Sequence, residues 1–219
     1  MRAHFYCLVA TFVLPVVSLA NTIVVQNSSF ETLPTGGLTD LISGQGAFSI
    51  GVLIPGWTST NTDNSGEAQL LTGPSPSYPL YVADDGITSA WIREDTTLYQ
   101  TVDAVVQLGV TYTLSVDIGW RNDKGTNGTA DLLINGNTYM ATGAPLTQGY
   151  WTTYTVSYTG IANDVGSPIT IELNANSMAP NTQGNFDNVR LSDTASPEPA
   201  AGVLVGIVLI GLSLVRKGR

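Results

Sequence analysis

Residues 111–118 read TYTLSVDI, with an apolar side chain at every second position. Tyr112, Leu114, Val116 and Ile118 fall on one face, and Thr111, Thr113, Ser115 and Asp117 on the other. Side chains of a strand alternate between faces, whereas those of a helix repeat every 3.6 residues, so this segment fits a strand with one buried and one wet face. Tyr154, Val156 and Tyr158 alternate in the same way with Thr153, Thr155 and Ser157, and Ile169, Ile171 and Leu173 with Thr170, Glu172 and Asn174. Further short runs at 80–83, 88–93, 97–103, 129–134 and 185–192 are separated by turn signals such as Asp85-Gly86, Asn135-Gly136 and Gly166-Ser167-Pro168. No helical period is sustained between 21 and 196. Many short strands with frequent turns predict an all-β protein, an antiparallel β-sandwich of jelly-roll type. The stretch 34–79, rich in Gly, Ser, Thr and Pro, reads as long surface loops on one rim.

The two ends differ from this middle. Arg2, an apolar run over 5–17 and then Ser18-Leu19-Ala20 describe a secretory signal peptide over 1–20, with cleavage expected after Ala20. A jelly-roll domain is expected over 21–193 and a separate tail over 194–219. In that tail Pro197, Glu198 and Pro199 precede sixteen uncharged residues, 200–215, and the basic cluster Arg216-Lys217-Gly218-Arg219. As a helix the uncharged run spans about 24 Å, slightly short of a bilayer core of about 30 Å. Snorkelling cations make up the difference and set the basic end in the cytoplasm. This three-part layout resembles the PEP-CTERM sorting signal of Gram-negative bacteria. The resemblance implies an exosortase as partner, a transient anchor in the inner membrane, and release to the cell surface or extracellular matrix in a biofilm setting.

Export narrows the chemistry. The chain's single histidine, His4, and its single cysteine, Cys7, both lie in the segment expected to be removed. The mature domain would then lack Ser-His-Asp and Cys-His catalysis, His- or Cys-ligated zinc, disulfides and haem ligation. Between 21 and 196 four cations, Arg93, Arg121, Lys124 and Arg190, stand against sixteen Asp and Glu. That balance excludes nucleic acid as a partner, because phosphate recognition needs clustered cations. It leaves hard oxygen ligands available for Ca²⁺.

The landmarks Asn27-Ser28-Ser29-Phe30-Glu31, Pro55-Gly56-Trp57, Leu98-Tyr99-Gln100-Thr101-Val102 and Phe186-Asp187-Asn188-Val189-Arg190-Leu191 resemble the jelly-roll modules related to carbohydrate-binding families 4 and 9. They are also similar to the hapalindole-type cyclases built on that scaffold. In the last strand Asp187 shares its phase with Val189 and Leu191, and a carboxylate on a core face is costly unless it is paired or metal-bound. The resemblance implies a structural Ca²⁺ held by Glu31 and Asp187, with backbone carbonyls near Asn27; pairing of Asp187 with Arg190 or Arg93, or with backbone N–H groups, is the alternative.

Tyr81, Trp91, Tyr99, Trp120 and Trp151 are candidate sugar-stacking aromatics near loops or out of phase with the apolar face. No acidic pair of the glycosidase kind is recognisable, and no catalytic residue is assigned. The expected function is a non-catalytic exopolysaccharide-binding or biofilm-associated module; a structural surface protein and a cyclase-type enzyme are the alternatives. Mass spectrometry of the exported protein is expected to find Asn21 as its first residue. Recovery of the intact chain from cytosol with Met1 attached would overturn the export reading.

Overall fold

The computed structural model describes residues 20–42, 46–70, 82–175 and 181–195. The expected signal segment 1–19, Tyr81, and the tail from 196 onward with Pro197, Glu198 and Pro199 lie outside the described residues. Among the described residues no helix is long and apolar enough to cross a membrane.

Among the described residues thirteen strands build two antiparallel sheets. They are β1 (Ala20–Ile23), β2 (Asp40–Ile42), β3 (Gly46–Phe48), β4 (Thr58–Ser59), β5 (Ser65–Leu70), β6 (Ser89–Ile92), β7 (Thr97–Val105), β8 (Val110–Gly119), β9 (Gly128–Ile134), β10 (Asn137–Met140), β11 (Trp151–Thr159), β12 (Pro168–Ala175) and β13 (Gly184–Ala195). The eight-stranded sheet runs β11-β8-β13-β6-β5-β3-β2, with β1 paired to β13; the five-stranded sheet runs β10-β9-β12-β7-β4. The all-β sandwich expected from the alternation is therefore present. Ala20, the expected last residue of the leader, opens β1 opposite Thr194, and β13 runs to Ala195, past the expected boundary at 193.

The alternating residues form the core. Leu114, Val116 and Ile118 from β8 meet Leu132 and Ile134 from β9 and Ile169, Ile171 and Leu173 from β12, all fully buried. Each such side chain contributes about 1.5–3 kcal/mol through burial. Tyr112 lies in the same row and is also buried. Its hydroxyl donates to Val105 O (3.0 Å) and accepts from Gln107 N (2.9 Å), so the turn before β8 satisfies it.

Two expectations are corrected. The stretch 34–79 is not all loop, because β2, β3, β4 and β5 lie in it. β5 gave no alternation because both its faces are covered: Ser65 and Glu67 are buried, and so is Ala68, which packs with Trp91, Phe48 and Ile50 in a small second cluster. Conversely, Val82 and Ala83, expected at the end of a strand, are not in one.

The second correction concerns Asp187. Register shifts between Asp187 and Arg190, where Asn188 takes φ 49°, a β-bulge. Before the bulge Phe186 faces the core opposite Ile118; after it Val189 and Leu191 do. Asp187 pairs with Asp117, which shares the outward phase of β8. The carboxylate thus faces away from the core, and counting by twos through the bulge assigned it to the wrong face.

Candidate active site

Two adjacent rows cross the outer face of the eight-stranded sheet. In the first, register sets Gly66 beside Trp91, Trp91 beside Asn185, Asn185 beside Gly119, and Gly119 beside Trp151. Both glycines make room for an indole. A Cβ at Gly119 would lie 2.8 Å from the Trp151 ring, and one at Gly66 would lie 3.0 Å from Trp91 Nε1 and 1.8 Å from Ser49 O. Trp151 donates to Val82 O (2.8 Å) and so ties the loop before β6 to this face. Trp91 is buried beside Phe48 with Arg93 above its ring at 5.6 Å. Between the two indoles Asn185 is buried and accepts from Gln183 Nε2 (2.8 Å).

The second row is acidic. Asp187 lies beside Asp117, and Asp117 beside Thr153. Asp117 is 2 % exposed although it belongs to the wet face of β8, because the 82–88 loop lies near it. Its Oδ1 accepts from Thr153 Oγ1 (2.5 Å), its Oδ2 accepts from Asn188 Nδ2 (2.9 Å), and Arg190 approaches at 3.9 Å. The Asp84 carboxyl hydrogen-bonds to Asp117 as well. Two carboxyl groups share a hydrogen bond only when one carries a proton. Burial and then the Asp117 carboxyl raise Asp84 above the ordinary carboxylate range, with Arg190 opposing. That shift favours the protonated form of Asp84, which lies against an Asp117 carboxyl held by Thr153, Asn188 and Arg190.

Asp187 fixes this pair in place. Its Oδ2 accepts from Asp84 N (2.7 Å) and Asp85 N (2.9 Å), and its Oδ1 from Asn188 N (2.7 Å). Burial pushes Asp187 up to about 7, against the three amide bonds that lower it. Glu31 grips the other end of the same loop: its Oε1 accepts from Ile87 N (2.7 Å), Thr88 N (2.7 Å) and Thr88 Oγ1 (2.9 Å). The two acids expected to share Ca²⁺ thus hold backbone amides of one loop. Asn27 turns its amide nitrogen, a donor, toward Thr32 O, Pro55 O and Glu67 Oε1. Among the described residues no group of three or more His, Cys, Asp or Glu lies together as a metal site.

The expected aromatics divide between the sheets. Trp91 and Trp151 share the first row. Trp120 follows β8 and donates to Lys124 O (2.8 Å), closing the 120–124 turn. Tyr99 lies on the opposite sheet, on the outer face of β7, in an open groove of about 300 Å³ with Thr60, Thr97, Thr101, Thr170 and Glu172. Asp84, Asp117 and Thr153 were not among the expected site residues. The sole acid in the TYTLSVDI alternation was their only trace, and alternation alone makes it a solvated side chain.

The model of the HpiC1-like family, described as HpiC1 cyclase, matches residues 21–192. The chain belongs to the HpiC1-like cyclase family. Among solved structures it is similar to a cyclase from Fischerella sp. TAU in complex with 4-(1H-indol-3-yl)butan-2-one, at 24 % identity over 81 % of this chain and 100 % of that one, TM-score 0.63. A second structure of a cyclase from Fischerella sp. TAU aligns at 24 % identity over 82 % and 100 %, TM-score 0.64. These likenesses show a shared fold. The CBM22-1 xylan-binding domain of Paenibacillus barcinonensis Xyn10C aligns at 11 % identity over 82 % and 95 %, TM-score 0.45. No curated protein matches. The expectation of a non-catalytic module is corrected by the family match: this is a family of cyclases, so the chain is an enzyme by kinship.

Asp187 generates a pH prediction. Its folded value, about 7, lies above the ordinary 3.8, so the native state holds the proton more tightly than the unfolded chain. The associated stabilisation is complete below about pH 4 and is lost as pH rises to about 7, by up to about 1.4 kcal/mol per pH unit. Thermal melts between pH 4 and 8 are expected to show a shallower slope in D187N than in wild type, because Glu67, which burial also pushes up to about 7, titrates in both. Equal slopes would contradict the assignment.

Proposed function

We propose that this protein catalyses an acid-assisted cyclisation of an uncharged, indole-bearing substrate on the outer face of the eight-stranded sheet. The observation that carries the reading is the hydrogen-bonded Asp84–Asp117 pair, an acid poised beside Trp151's loop in a member of a cyclase family. Asp84 delivers its proton to a π-bond or heteroatom of the substrate, forming one X–H bond. The resulting cation is captured by an internal π-bond, which closes a ring. Loss of a ring proton to the Asp84 carboxylate restores the acid, so the net change is an isomerisation that needs no oxidant or reductant. Burial and then the Asp117 carboxyl favour the protonated form of Asp84, and Asp187 positions it through the amides of residues 84 and 85. Trp151, half-buried in the tryptophan row, offers an indole face to an aromatic guest. The similar Fischerella cyclase holds an indole ketone, which makes that compound a suitable probe.

D84N and D117N are expected to lower kcat by about 10²–10⁴-fold while circular dichroism and binding of 4-(1H-indol-3-yl)butan-2-one by calorimetry are retained. Full turnover in both variants, or no binding of the probe at millimolar concentration, would sink this reading.

A second reading rests on the opposite sheet. Tyr99, 37 % exposed, stands in the open groove among the Thr101–Thr170 hydroxyl pair (2.8 Å) and Glu172. An aromatic face flanked by hydroxyl and carboxylate groups suits a sugar ring, so exopolysaccharide is a proposed ligand there. Affinity electrophoresis in gels containing the organism's exopolysaccharide should retard wild type more than Tyr99→Ala; equal mobility tells against it. Export by the leader, and exosortase processing at Pro197, Glu198 and Pro199 at the inner membrane, are likewise proposed. Their support is the sequence layout, and their check is the mature N-terminus.

A further inference from the structure

Two loops, 105–110 and 160–168, close one end of the sandwich and are laced together by backbone hydrogen bonds. Val106 N donates to Ser167 O (3.0 Å), Gly166 N to Val106 O (2.8 Å), Gly109 N to Gly160 O (2.8 Å) and Gly160 N to Val110 O (2.9 Å). On this base Val105, Leu108, Ile161 and Val165 are 46 %, 66 %, 54 % and 54 % exposed, so about half of each aliphatic side chain stands in water.

The same end carries no exposed charge, although the chain has 17 Asp and Glu against 8 Lys and Arg. The only ionisable residue in the two loops, Asp164, is buried and turned inward, where it accepts from Tyr158 Oη and from Asn135 Nδ2 (2.8 Å). The adjoining turn, Asn135-Gly136-Asn137, is uncharged as well. Asp103 and Asp193 stand on the strands that lead to this end. Each lies two residues back from Val105 and Ala195, about 7 Å below the rim. Aliphatic side chains grouped on an uncharged face of an acidic protein mark a contact surface.

Where the chain leaves the domain points to what it contacts. Ala20 pairs with Thr194, and Ala195 pairs with Val110, two residues from Leu108. Both ends of the sandwich's chain therefore emerge beside the aliphatic face. Five residues then separate Ala195 from the sixteen-residue uncharged run that begins at Ala200, and extended they reach at most about 18 Å.

We propose that this end of the sandwich is a lipid-contact face, which settles Val105, Leu108, Ile161 and Val165 into the boundary of head groups and acyl chains. The proposal rests on the reading of 200–215 as a membrane span. Four half-exposed side chains bind a bilayer weakly by themselves, but a tether this short holds them at high effective concentration beside it. The face offers no cation, so it fits a zwitterionic surface and gains nothing from anionic head groups. Docking this way also orients the candidate active site. Asp117 lies seven residues along β8 from Val110, about 23 Å from the lipid, so the acidic row stays in water.

The test uses the full chain in phosphatidylcholine vesicles, with Cys7→Ser and one new cysteine carrying an environment-sensitive nitrobenzoxadiazole probe. Flotation reads the tether, and probe emission reads the face. Probes at Leu108→Cys and Val165→Cys are expected to brighten several-fold, shift to the blue and be quenched by spin-labelled lipid. A probe at Asp63→Cys, in the turn near the opposite end of β7, should do none of these. Leu108→Asp with Ile161→Asp should return the Val165 probe to water while flotation and circular dichroism are unchanged. A chain that floats with both face probes still in water overturns the docking and leaves the tether standing. No flotation overturns both. A blue shift that grows with protein concentration without lipid assigns the face to a second copy of the chain and overturns the proposal too.

Discussion

Between Asp187 and Arg190 the last strand has to seal the core and also present a carboxylate outside it. A regular strand cannot place Phe186 and Val189 on the same face, because they are three positions apart. The bulge at Asn188 resolves this: its left-handed backbone adds the residue that turns Val189 inward while Asp187 remains outward. The bulge is fastened from several directions. Val189 N donates to Ser28 O (2.9 Å), Asn188 N donates to Asp187 Oδ1, and Asn188 Nδ2 reaches Asp117. At the same place β13 exchanges one neighbour for another, pairing with β6 before the bulge and with β1 near its end. The N-terminal segment, the 84–88 loop and the acidic row all depend on that local irregularity.

The loop over the acids is held by charge at both ends. Asp187 takes the amides of Asp84 and Asp85, and Glu31 takes those of Ile87 and Thr88. A Cβ at Gly86 would lie 2.4 Å from Glu31 Oε1, and its φ of 78° suits glycine, so the turn can pass close to that carboxylate. A loop anchored in this way brings Asp84 onto Asp117 without an ordered helix or strand. Asp84 is exposed while Asp117 beside it is buried. The two sheets then divide the labour: the eight-stranded sheet carries the tryptophans and the acids, and the five-stranded one an open, hydroxyl-lined groove.

Much of the scaffold was legible in the chain. The alternations in β8, β11 and β12 marked both buried and wet faces, since one face of each strand packs on the core. Legibility failed where that condition failed. β5 is covered on both faces and so carried no polar–apolar contrast, and the bulge in β13 broke the count of twos. The site was less legible than the fold. Trp91, Trp151 and Asp187 stood out as residue types, but Tyr99 was grouped with them although it faces the other way on another sheet. Asp117 looked like any solvated acid of a wet face.

The sequence by itself determined an acidic all-β chain whose apolar residues recur at the period of strands, because that period is a local property of the backbone. It also placed the family landmarks, because they are short contiguous strings. Tertiary structure alone decided which acids meet. Asp84, Asp117 and Asp187 come from a loop and two strands far apart in the chain, and hydrogen bonds between them depend on register, bulge and loop anchorage. A hydrogen bond acts over about 3 Å, and no spacing in one dimension encodes that proximity.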